Sequence, residues 1–141
     1  MKIFDCFMYF DEEMVVDLRF NTLNQFVDYF VIVESKFTHK GDVRELKFNH
    51  KKFQKFKDKI IYLIYDNPPS QIETINDYDS EYEKACKYIF NAAYRENGQR
   101  NYIEKGLINA KKNDMILVSD VDEIPNLSKI DFNTIEEKLI L

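Results

Sequence analysis

Four short apolar runs punctuate the chain, and amphipathic stretches separate them. The first, "KIFDCFMYF" at 2–10, is aromatic and bounded by acids, which reads as a buried strand. "YFVIVE" at 29–34 is continuous and β-branched, as a strand covered on both faces should be. "KIIYLIYD" at 59–66 and "MILVSD" at 115–120 read as the third and fourth strands. Between the first two, "EEMVVDLRFNTLNQFVD" at 12–28 spaces Val15, Leu18, Leu23 and Phe26 along one broad helical face, with Val16 and Phe20 alongside. Glu12 and Glu13 fall in its first turn, where the helix dipole favours them.

The remaining segments are more polar. "NHKKFQKFKDK" at 49–59 predicts a short basic helix with Phe53 and Phe56 on one side. "SEYEKACKYIFNAAYREN" at 80–97 predicts the longest helix, opened by a Ser80 N-cap with Glu83 three residues on and interrupted at Gly98. "QRNYIEKGLINAKKND" at 99–114 predicts another, as does the closing "FNTIEEKLIL". Residues 36–46 and "NPPSQ" at 67–71 read as loops. The order β-α-β-α-β-α-α-β predicts one α/β domain over 1–141, a mostly parallel sheet with helices on both faces.

In such sheets ligands bind beyond the carboxyl ends of the strands, at the switch point of the winding order. Acids stand at all four predicted strand ends: Asp11 and Glu12, Glu34, Asp66, and Asp120 with Asp122. Asp is also common in turns for local reasons, but four such ends together suggest a shared cleft. The sharpest feature is "SDVDEIP" at 119–125. An apolar strand runs directly into three carboxylates, and Pro125 turns the chain away. In an extended segment Asp120 and Asp122 would point to the same side. A hard divalent cation such as Mg²⁺ or Mn²⁺ is typically held by one or two carboxylates together with substrate phosphates.

Composition narrows the choice. The chain has 141 residues, 45% hydrophobic and 15% aromatic, with 3 Gly and a net charge of −5. That balance argues against nucleic acid as the partner, which needs a dense basic face. A phosphotransfer or phosphatase-like enzyme could use the same acids for Mg²⁺, but so few glycines provide no phosphate-cradling loop, which weighs against nucleotide triphosphate chemistry. No apolar stretch reaches the roughly 20 residues of a membrane span, and acids interrupt the N-terminal run, so neither signal peptide nor transmembrane segment is expected and a cytoplasmic location follows. Cys6 and Cys86 match no metal or redox spacing and read as free, largely buried thiols. His39 and His50 have no third ligand spaced to make a zinc site and read as surface residues. The aromatic side chains Phe4, Phe7, Tyr9, Phe10, Tyr29 and Phe30 read as core and cleft wall.

Several motifs in order resemble one family. "SDVDEIP" is similar to the signature of glycosyltransferase family 17. "DCFMYFDEE" (5–13) resembles the family's D-C-F-x-F-F-N-E opening, with Asp11 where Asn is usual. "LRFNTL" (18–23), "VDYFVIVES" (27–35), "THKG" (38–41) and "QRNYIEKGL" (99–107) resemble its following segments. The resemblance implies a GT-A-like fold and an inverting enzyme that transfers a sugar, most often N-acetylglucosamine, from a UDP-sugar donor to a glycan acceptor, as in N-linked glycan biosynthesis. It implies Mn²⁺ or Mg²⁺ held by Asp120 and Asp122, with Asp120 alternatively meeting the ribose. Glu34 and Asp66 would meet ribose hydroxyls or the base, and Arg100 the phosphates. Inversion needs a general base; Glu123 is the nearest carboxylate, and otherwise the base is expected from a C-terminal region or a partner chain. The family usually continues well past this motif. The alternative is thus a catalytically incomplete nucleotide-sugar-binding module, with a Golgi-type location only if an anchor lies outside this sequence.

Overall fold

A computed structural model describes residues 1–132, 134 and 135. Four strands form the sheet: β1 (Ile3–Tyr9), β2 (Tyr29–Ser35), β3 (Ile60–Tyr65) and β4 (Met115–Val118). Their order is β3-β2-β1-β4, and every pairing is parallel. The α/β expectation holds. The winding runs outward from β1 through β2 to β3 and then returns to the other side of β1 for β4. The switch point therefore lies between β1 and β4.

Alternation along each strand divides the core into two layers. Ile3, Phe7 and Tyr9 of β1 and Phe30 and Ile32 of β2 face helix α1 (Glu13–Leu23) and the segment around Phe48, Phe53 and Phe56. Phe4, Cys6, Val31, Val33 and Tyr65 face the other way, where Ile103 and Leu107 cover them. Phe20 is the hub of the first layer, with its ring 4.4 Å from Phe30 and 5.1 Å from both Phe53 and Phe56. Aromatic pairs at such distances add to the stabilisation from burial itself.

Three helical expectations are corrected. The inner face of α1 is Val16, Arg19, Phe20 and Leu23, and Leu18 is 60% exposed. The basic segment at 49–59 forms only a 3₁₀ turn, Gln54–Phe56. Phe53 and Phe56 are both buried, and two rings reaching the core hold the segment without a full helix. Helix α2 (Glu81–Asn101) runs straight through Gly98 and is followed by a 3₁₀ stretch, Tyr102–Leu107, in place of a second helix. Gly98 is a contact and not a break: the Tyr65 hydroxyl fills the space that a Cβ would need. The Ser80–Glu83 capping box forms in full, with both reciprocal hydrogen bonds. The expected closing helix falls almost wholly outside the described residues. Among the described residues no helix is long and apolar enough to cross a membrane.

Candidate donor-binding site

The strand β4 ends at Val118, and the chain turns at once. The Glu123 N–H donates to the Asp120 carbonyl at 3.1 Å, and Ile124 N–H to the Asp122 carbonyl at 3.1 Å. The expected extended geometry is thus replaced by a tight turn. Val121 is buried, while Asp120 and Asp122 on either side of it are exposed, so both carboxylates still lie on the solvent side. The turn sits beside the carboxyl end of β1, at the switch point.

One residue that periodicity overlooked organises this turn. Arg19, on the inner face of α1, is fully buried. Its Nε and Nη2 donate to the two oxygens of Asp5 at 2.8 and 2.7 Å, a bidentate fork in the centre of β1. Its Nη1 reaches the carbonyl oxygens of Asp120, Val121 and Glu123 at 2.8, 3.0 and 3.1 Å. Nη2 also donates to Ser119 Oγ at 2.7 Å. The available signal was an arginine at the position where the Val16–Phe20–Leu23 face calls for an apolar side chain.

The predicted site residues separate into two groups. Asp120 and Arg100 come together: Arg100 Nη2 lies 3.1 Å from Asp120 Oδ1 and 3.3 Å from Glu96 Oε1. The Asp122 carboxylate has no hydrogen bond or ion pair among the described residues. Glu123 accepts the Asp120 N–H at 3.0 Å, which ties it to the turn. At the end of β1, Glu12 accepts the N–H groups of Phe10 and Asp11, and Asp11 is exposed beside it.

Glu34 and Asp66 do not join them. Glu34 is fully buried and accepts from the N–H groups of Lys47 and Phe48 at 2.6 and 3.1 Å and from the Tyr62 hydroxyl at 2.7 Å. Arg44 completes its shell at 3.2 Å. Such a carboxylate has no lone pair facing solvent for a ribose; it anchors the loop after β2. Its presence shows in its neighbours. Burial first, then the Glu34 charge, pushes the Tyr9 hydroxyl up to about 12. Burial and the hydrogen bond to Glu34 raise Tyr62 likewise. Asp66 is exposed at the β3 edge, 3.8 Å from Lys36, three strand spacings or about 14 Å from β4.

Whether a divalent cation suits the turn depends on its donor set. Among the described residues no three His, Cys, Asp or Glu side chains are gathered to hold an ion. Two exposed carboxylates match the minimal protein share for Mg²⁺ or Mn²⁺ when substrate phosphates supply the rest. The residues therefore fit an ion that arrives with a diphosphate, not a resident one. Cys6 and Cys86 are free; Cys6 is buried as expected, with burial and the nearby Asp5 charge raising its thiol, but Cys86, on α2, is only partly buried. A groove of about 340 Å³ between the end of α1 and residues 124–128 holds no ionisable side chain.

An all-parallel sheet with a carboxylate turn at its switch point places the chain among α/β proteins that meet their ligands at the strand ends. The model of glycosyltransferase family 17 matches residues 1–137, and the chain belongs to that family. It is similar to the β-1,4-mannosyl-glycoprotein 4-β-N-acetylglucosaminyltransferases of Homo sapiens, Rattus norvegicus and Mus musculus. Each is 30% identical over 116 residues, which cover 79% of this chain and 19% of the relative. The chain thus spans about a fifth of their length. No solved structure matches it.

Proposed function

We propose that this chain is the donor-binding part of a metal-dependent, inverting glycosyltransferase that moves N-acetylglucosamine from a UDP-sugar to a glycan acceptor. The observation that carries the reading is the turn at 120–123. Two exposed carboxylates, two positions apart in one turn, stand at the switch point in a chain of glycosyltransferase family 17. Arg100 offsets Asp120 and Glu123 caps the turn, but Asp122 has no such partner among the described residues to explain it.

Asp120 and Asp122 would hold Mn²⁺ or Mg²⁺ together with the donor diphosphate. Bound there, the ion supplies neutralisation of the charge that develops on the leaving group. Arg100, already beside Asp120, would pair with a phosphate oxygen. Glu34 is outside this scheme because its carboxylate is buried and fully bonded. Glu123, tied to the Asp120 N–H, is poorly suited to be the general base.

That last point favours a second reading, a binding module that needs a C-terminal region or a partner chain to supply the base. Titrating UDP by calorimetry with and without Mn²⁺ tests the shared core of both. Mn²⁺ should tighten UDP binding, and Asp122→Asn should remove the effect without unfolding the chain. Equal affinities would sink the metal bridge. Transfer of sugar to a panel of glycans by the 141-residue chain then separates the two readings. Loss of general-base assistance alone costs about 10²- to 10⁴-fold in rate.

A further inference from the structure

Arg19 is an expensive residue to place where it is. A buried guanidinium loses its water, and each of its five N–H groups must find an acceptor. A leucine on that face of α1 would fill the space without this penalty. Replacing buried ion pairs by apolar side chains is often neutral or stabilising, so stability alone does not explain the choice. What the guanidinium does, and an apolar side chain would not, is gather three carbonyl oxygens of one turn at a single nitrogen.

Among the described residues the turn has three hydrogen bonds of its own, from the N–H groups of Glu123, Ile124 and Asp120, but none of them ties it to the sheet. Asp120, Asp122 and Glu123 repel one another, and the segment belongs to no helix or strand. Asp5 already balances the charge of Arg19, so Arg19 acts mainly through the carbonyls and not by neutralising the three acids. Ser119 Oγ, 2.7 Å from Arg19 Nη2 and 3.2 Å from the Glu123 carbonyl, closes the arrangement. The Arg19 carbon Cζ lies 4.8 Å from the centre of the Phe7 ring, which fixes the plane of the fork.

We infer that Arg19 is a positioning residue of the donor site. Acting through the carbonyl oxygens of Asp120, Val121 and Glu123, it holds the two exposed carboxylates in one arrangement, ready for a metal–diphosphate ligand. This rests on the reading of Asp120 and Asp122 given under Proposed function. Preorganisation of this kind raises affinity because the ordering cost is met before the ligand arrives. A lysine cannot substitute, since an ammonium has three donors and no planar fork for Asp5 and the turn together.

Two variants test the inference on the whole chain, Arg19→Lys and Ser119→Ala. The second keeps both hydrogen bonds between Arg19 and Asp5 and removes only the Ser119 acceptor, so it keeps the test alive if the first fails to fold. Amide hydrogen exchange at Glu123 and Asp120 reports the turn directly, with β1 and β2 amides as the control for folding. Calorimetry with Mn²⁺ and UDP reports affinity, and the Mn²⁺ electron paramagnetic resonance spectrum with UDP reports uniformity of coordination. Ser119→Ala, which removes two hydrogen bonds, should lose at least about threefold in turn protection and in affinity, and Arg19→Lys, which removes more, at least about tenfold with a broadened spectrum. Sheet exchange should stay native in Ser119→Ala. Native turn protection and native affinity in a folded variant would overturn the inference. If the native chain bound UDP no better with Mn²⁺, the donor-site reading itself would fall, and the role of Arg19 in that site with it. The exchange data would then show separately whether Arg19 orders the turn.

Discussion

The sheet contains two buried acid–arginine pairs that work in opposite directions. In Asp5–Arg19, 2.7 Å apart and both wholly buried, the carboxylate binds nothing but the guanidinium. The arginine has donors left over, and it directs them to the turn after β4. In Glu34–Arg44, 3.2 Å apart, the carboxylate is the organiser. It collects two backbone N–H groups and a phenol from the loop after β2 and from β3. Arg44 adds contacts to the Ser35 and Phe10 carbonyls and lies over the Phe10 ring at 4.0 Å. The first pair leaves the acids of the turn exposed, Asp122 without any partner among the described residues; the second consumes its own. An acid at a strand end is therefore not a ligand by position alone. The number of donors already facing it decides.

The largest expected effect is on the first pair. Asp5→Ala leaves a buried guanidinium without its counter-charge and should cost about 3–5 kcal/mol, measured by urea unfolding. Loss of less than about 1 kcal/mol would show that water reaches Arg19. Replacing both partners, Asp5→Leu with Arg19→Met, sharpens the contrast. Stability should recover to within about 2 kcal/mol of native, while Mn²⁺-dependent UDP binding should not recover. Glu34→Gln should cost about 1–3 kcal/mol, the price of a buried network with one mismatched member. It should change UDP affinity less than about twofold, below the worth of one direct hydrogen bond; a larger drop would return Glu34 to the binding site.

Alkaline pH probes the same interior. Burial raises Cys6 above its ordinary 9.0, and Tyr9 and Tyr62 above 10.0. Each binds its proton more tightly folded than unfolded, so its contribution is complete below pH 9 and lost as pH rises through the higher folded values. Urea midpoints should therefore fall above about pH 9, and Cys6→Ala should remove the earliest part of that fall. A flat profile to pH 11 would contradict the burial. The smallest effect belongs to Asp66→Asn, whose half-exposed partner Lys36 is 3.8 Å away. A change beyond about 1 kcal/mol would be inconsistent with an exposed pair.

These contrasts explain what the sequence made legible. Short runs rich in aromatic and β-branched residues gave the four strands, because a strand covered on both faces is mostly apolar, with Asp5 and Glu34 as the paired exceptions. Ser80 and Glu83 gave the start of α2, since a capping box is local chemistry. The exposed pair Asp120 and Asp122 was visible for the same reason. Arg19 was not, because a count of apolar spacing treats a buried arginine as a gap; the same habit enrolled Leu18, which faces water. Gly98 looked like a break because its reason, Tyr65, is 33 positions away in sequence. Glu34 read as a ligand because the N–H groups that enclose it come from residues 13 and 14 positions on, in a loop without periodicity.

The register of the sheet also sets an order in time. Phe4 meets Tyr29 across 25 residues, but Ile3 meets Met115 across 112. Closing the longer loop costs about 1.3 kcal/mol more chain entropy by the logarithmic rule. Strands β1 to β3, with α1 on their face, can nucleate while β4 is still unpaired, and long-range pairings are the slow ones. Until β4 docks, the guanidinium of Arg19 has Asp5 but no carbonyls to gather. The carboxylate turn should thus be the last part of the sheet to mature, a late checkpoint in folding. Pulse-labelled exchange during refolding should show Glu123 protected after Val31 and Ile32; simultaneous protection would mean that the site forms with the nucleus.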